Sequence, residues 1–84
     1  MNYKVLDIIH LWADSRGKLV HSVFPSKGKI YVYSTGDLGK EAAKVCKFIA
    51  LVENQPWTFE KQRKNELYEL TFFPETARLE DLFE

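Results

Sequence analysis

The sequence predicts an α+β domain: an antiparallel β-sheet in the order β-β-β-α-β-β, with one main helix, about residues 38–53, packed on one face and a short C-terminal tail or helical turn. Three observations lead there. Short runs of β-forming residues, bounded by Gly, Pro, Asn and Ser, occupy both ends of the chain. Between them Leu38, Ala42, Val45, Ile49 and Val52 recur at spacings of four, three, four and three, the period of a helix with one buried stripe. A length of 84 residues accommodates a single domain, 1–84, and an apolar share of 45% with 14% aromatic residues excludes a disordered chain.

Val5 to Trp12 is a nearly continuous run of β-formers and reads as the first strand. After Asp14-Ser15-Arg16-Gly17 a second strand runs from Leu19-Val20 to Phe24-Pro25, completing a hairpin. With the loop centred on Ser15-Arg16, His10 faces His21 and Trp12 faces Leu19. With Gly17 in a left-handed position the histidines become diagonal neighbours. Ser26-Lys27-Gly28-Lys29 is the next turn signal, and it leads to Ile30-Tyr31-Val32-Tyr33. Strict alternation sends Ile30 and Val32 to one face and Tyr31 and Tyr33 to the other.

Asp37 stands where it can cap the first turn of the helix, and Glu53-Asn54-Gln55-Pro56 ends it. Beyond Trp57, two strands over 57–59 and 67–73 join through a turn near Lys64-Asn65, with Trp57 opposite Phe72 and Phe59 opposite Leu70. The alternative is a second helix over Glu60 to Glu69, a stretch rich in helix formers. Residues 74–84 form an acidic C-terminal tail.

The twelve basic and twelve acidic side chains are unevenly placed. Residues 1–64 hold eleven basic and six acidic groups, and residues 65–84 hold one basic and six acidic, so a basic body carries an acidic end. Net neutrality argues against the strongly basic surface of a sequence-independent nucleic-acid binder. No apolar run reaches the length of a membrane span and the N-terminus lacks signal-peptide features, so a cytoplasmic location without membrane contact is expected.

The one cysteine, Cys46, lies beside the helix's apolar stripe and reads as a buried structural thiol. His10 and His21 could meet across the first hairpin, but neither Asp7 nor Asp14 completes a metal set, and the pair reads as two half-exposed sheet histidines. Gly36-Asp37-Leu38-Gly39 lacks the Lys-Ser/Thr of a phosphate loop, and no Ser/His/Asp set follows from spacing. The expectation is therefore no catalytic residue, no cofactor and no metal. Lys40, Lys44 and Lys47 recur at i, i+4 and i+7 on the face opposite the stripe, where they either touch an anionic partner or are simply solvated. Trp12, Tyr31, Tyr33 and Trp57 are expected on the sheet face that the helix leaves uncovered, where aromatics anchor interfaces or stack nucleobases. Leu82 and Phe83 complete the set of candidate partner-binding residues.

From Gly17-Lys18 to Leu51, the turn at Gly28-Lys29, the strand Ile30 to Tyr33, Thr35-Gly36-Asp37 and Glu41-Ala42-Ala43 follow in an order that, with the first strand included (residues 5–51), resembles the three-strand-plus-helix DNA-binding domains of ethylene-response factors and phage integrase N-termini. The resemblance implies a sheet laid in the major groove. Trp12, His21, Lys27, Lys29 and Tyr31 are the side chains its strands offer, with no strand arginine. Leu79-Glu80-Asp81-Leu82-Phe83 is similar to the short peptides that bacterial replication and repair proteins insert into the sliding clamp, with Leu79 in place of their glutamine. Taken together, the expectation is a non-catalytic macromolecular interaction protein, a small phage or mobile-element regulator or inhibitor of a host protein. A nucleic-acid-binding domain using the three-stranded sheet and the helix lysines is the alternative, and an unpaired strand edge leaves a homodimer open.

Overall fold

The computed structural model describes residues 3–76. In chain order they form α1 (Tyr3–Ser15), a 3-10 turn (Gly17–Leu19), β1 (Val20–Ser26), β2 (Lys29–Ser34), α2 (Gly39–Glu53), β3 (Trp57–Lys64) and β4 (Leu67–Pro74). The fold is α+β, with a four-stranded antiparallel sheet in the order β1-β2-β4-β3. The chain is thus two consecutive α-β-β units whose second strands pair at the centre of the sheet.

The expected strand Val5 to Trp12 is instead α1, so the element order is α-β-β-α-β-β. The helix follows from burial at helical spacing: Val5, Ile9 and Ala13 are buried at intervals of four, Leu6, Ile8 and Trp12 flank them, and Leu11 is 72% exposed. A strand would have put Ile9 and Leu11 on one face. Gly17, at φ +60°, is left-handed, as one of the two loop alternatives has it, but just beyond the end of a helix and not inside a hairpin loop. The His10–His21 pair across two strands disappears with the hairpin.

α2 forms close to where its stripe predicts. Its N-terminal turn is steadied by Asp37, whose Oδ1 accepts the Gly39 N–H at 2.9 Å. It ends where Asn54 turns left-handed (φ 55°) and donates its N–H to the Ala50 carbonyl, before Pro56 forbids continuation.

β1 and β2 join through Lys27 and Gly28, both at positive φ (52° and 79°), the signature of a type I′ turn. Such a two-residue loop makes Ser26 and Lys29 a hydrogen-bonded pair, so by alternation Pro25, opposite Ile30, turns its nitrogen away from β2. Proline here removes a donor from the free edge of β1. The other edge, β3, carries Glu60, Lys61, Arg63 and Lys64, charges that discourage strand addition.

The stretch 60–69 is not helical but completes a second hairpin, with Lys64 opposite Leu67 and Asn65 at φ 57°. Centring the loop one residue later than expected shifts the register by two: Trp57 faces Pro74 and Phe59 faces Phe72. Glu60 consequently lies opposite Thr71, whereas the expected register would have set it against Glu69, a like-charge pair.

Both helices cover one face of the sheet. Ile30, Val32, Leu70 and Phe72 from the central strands meet Val5 and Ile9 of α1 and Ala42, Cys46 and Ile49 of α2. Trp12 packs edge-on against Phe72, with ring centroids 5.8 Å apart. Each large side chain fully buried here contributes about 1.5–3 kcal/mol. The helices are tied at the surface by an ion pair from Arg16 to Glu41.

Candidate interaction surface

Alternation along the strands sends Tyr31 and Tyr33 to the face on which no described helix packs. Phe24 joins them from β1, opposite Tyr31. Its ring stacks on Tyr31 at 5.3 Å and on Tyr33 at 5.8 Å, with interplanar angles of 17° and 16°. Three near-parallel rings form a row beside the β1 edge, and Phe24, within that row, keeps 42% of its surface exposed.

The row is anchored from below. Tyr33 and Glu69 are register partners across β2 and β4, and the Tyr33 hydroxyl donates to the Glu69 carboxylate. Lys64 Nζ reaches the same carboxylate at 3.1 Å. Donating to the Glu69 carboxylate, with burial adding to it, pushes the Tyr33 phenol up to about 12. Glu69 is buried, which alone would raise its pKa, but the hydrogen bonds from Tyr33 and Lys64 outweigh burial and hold it below the usual value. Phe73 and Thr71 are buried on this same face, and Lys29 Nζ stands 5.3 Å from the Phe73 ring centroid.

Trp12 and Trp57 are not on this face. Trp12 belongs to α1 and faces Phe72. Trp57 opens β3 on the helix side, buried to 9% exposure as part of the core. Both indole Nε1 atoms are buried without a hydrogen-bond partner. Lys40, Lys44 and Lys47 are exposed on the outward face of α2, away from the aromatic row. Leu82 and Phe83 lie outside the described residues.

His10 on α1 and His21 on β1 are both exposed and line one shallow groove of about 200 Å³ with Asp14. His21 Nε2 is 2.7 Å from Thr35 Oγ1. Among the described residues no group of three His, Cys, Asp or Glu side chains could hold a metal ion. Cys46 is buried among apolar side chains, and burial pushes its thiol up to about 12, which keeps it protonated and unreactive as a nucleophile. No described helix is long and apolar enough to cross a membrane.

Sequence reading missed Phe24 and Glu69. Phe24 was within reach: pairing outward from a two-residue Lys27-Gly28 loop sets it opposite Tyr31. Glu69 was not, because its partner depends on how two hairpins dock. No protein-family model, curated protein or solved structure matches the chain.

Proposed function

We propose that this is a non-catalytic interaction protein that docks another protein on the sheet face carrying Phe24, Tyr31 and Tyr33. The row of three stacked rings is the observation that supports this reading most. Aromatic side chains bury large areas with few rotors to freeze, and here their stacking and the Tyr33–Glu69 hydrogen bond hold them in place before a partner arrives. Small size and the lack of an arguable catalytic set fit a regulator or inhibitor of the kind phages and mobile elements direct at host proteins. A second reading, nucleic-acid binding, draws on the same rings as a base-stacking platform and on Lys40, Lys44 and Lys47 as phosphate contacts, and it requires affinity that falls steeply with salt.

A photo-crosslinking amino acid at position 31 separates the readings. The expected product is a covalent adduct with a different polypeptide, lost when Phe24 and Tyr33 are both replaced by alanine. Adducts only with nucleic acid, together with DNA binding that weakens by orders of magnitude between about 50 and 200 mM salt, would establish the second reading instead. An adduct only with another copy of the chain would make the face a self-association surface.

A further inference from the structure

The lysine line of α2 does not end in a polar residue. At spacings of four, three and four, Lys40, Lys44 and Lys47 are followed by Leu51, which is 82% exposed. Phe48 and Val52, one turn apart on the adjoining line, are 53% and 43% exposed. Isolated exposed apolar side chains are ordinary, but three of the six large ones exposed among the described residues gather on the last two turns of one helix. Beside Leu51 lies a groove of about 550 Å³ lined by Lys47, Ala50, Leu51, Asn54, Gln55 and Pro56.

Among the described residues, Asp37 feels the charge of Lys40 at the start of the line but is itself paired to Lys61. Of the two acids in α2, Glu41 is paired to Arg16, and Glu53 follows the buried Ile49 by one turn. We propose that this surface is a second docking site, for an acidic helical segment of a partner protein that carries leucine or phenylalanine on its other side. Charge complementarity selects the occupant. A phosphate backbone would satisfy the lysines but leave Phe48, Leu51 and Val52 in water. An anionic bilayer would take the apolar residues, but three lysines fall short of the clusters of about four to eight that hold such membranes. An acidic amphipathic helix satisfies both features, with its apolar side chains in the groove at Leu51 and its carboxylates along the lysine line. The inference rests on the interaction-protein reading but uses the helix layer, on the other side of the sheet from the aromatic row, so the two surfaces fail or hold separately.

Fluorescence anisotropy with the full chain tests it, using a labelled synthetic helix of about 18 residues with Glu on one side and Leu and Phe on the other. Saturable binding is expected, weakened about tenfold or more by Leu51→Ser and by Lys44→Glu with Lys47→Glu, and unchanged by Tyr31→Ala. Lys44, Lys47 and Leu51 are exposed and Tyr31 is half-buried, and unchanged thermal melting would show that the variants fold. The proposal is overturned by no saturable binding, by equal binding of a peptide with Lys in place of Glu, or by binding that survives these α2 substitutions. It is equally overturned if the α2 lysines prove necessary for binding duplex DNA or phosphatidylserine vesicles while the acidic peptide is ignored.

Discussion

Tyr33 donates its phenolic hydrogen to Glu69 across the central strand pair, and each residue thereby fixes the other's protonation state. The native state holds Glu69 below the ordinary glutamate value of 4.5, so its stabilising contribution is complete above that value and is lost as pH falls through the folded-state pKa. Tyr33 behaves in the opposite sense: its contribution is present below the ordinary tyrosine value of 10.0 and fades as pH rises toward about 12. Glu69→Gln should flatten the acid limb of stability measured by urea unfolding. It should also bring one tyrosine's alkaline absorbance titration back toward 10.0, a change that Tyr33→Phe identifies by removing that titration. A titration unaltered by Glu69→Gln would break the link.

Helix α1 makes adjacent-looking residues unequal. Ile9 is fully buried and Leu11 points outward, so Ile9→Ala should cost about 2–5 kcal/mol and Leu11→Ala less than about 0.5 kcal/mol. Chemical denaturation of the two variants measures the contrast. Equal losses would mean that the segment is extended.

The first hairpin has room for improvement. Lys27 holds a left-handed conformation that asparagine tolerates better, so Lys27→Asn should raise stability by about 0.5 kcal/mol. Gly28→Ala meets no neighbouring atom, yet its φ of +79° makes it costly by about 1 kcal/mol. Melting temperatures should move in opposite directions for the two substitutions.

Cys46 should report global opening. With its thiol buried and its pKa raised to about 12, a disulfide reagent such as dithionitrobenzoate should react at the rate at which the native structure opens. Reaction should become fast in denaturant. Fast reaction in native buffer would show that the helix–sheet layer is loose around α2.

Different parts of the molecule were legible in the sequence to different degrees. α2 declared itself because its stripe has one unambiguous period, and β2 because Ile30, Tyr31, Val32 and Tyr33 alternate strictly. α1 was misread because its β-branched residues favour strands locally, while the spacing of Val5, Ile9 and Ala13, and a length of thirteen residues, favour a helix. Tertiary burial decided between them. The aromatic surface was half visible: Tyr31 and Tyr33 followed from alternation, whereas the placement of Trp12 and Trp57 depended on which elements are helices and on the register of β3. Phe48, Leu51 and Val52 were legible as residues but not as a patch, because the period places Val52 in the buried stripe, whereas in the fold it is 43% exposed.

The order β1-β2-β4-β3 also bears on assembly. Residues 3–34 and 39–74 each form a helix over its own hairpin, and they join through one ladder, β2 with β4, through the packing of the two helices and through Trp12 against Phe72. A break in the backbone at Gly36-Asp37 would interrupt no strand pairing. Two separately made fragments should therefore be able to reconstitute the native arrangement on mixing. By the same geometry, intact chains at high concentration can trade halves, giving an interlocked pair that retains the native packing within each half and the native ladder between them.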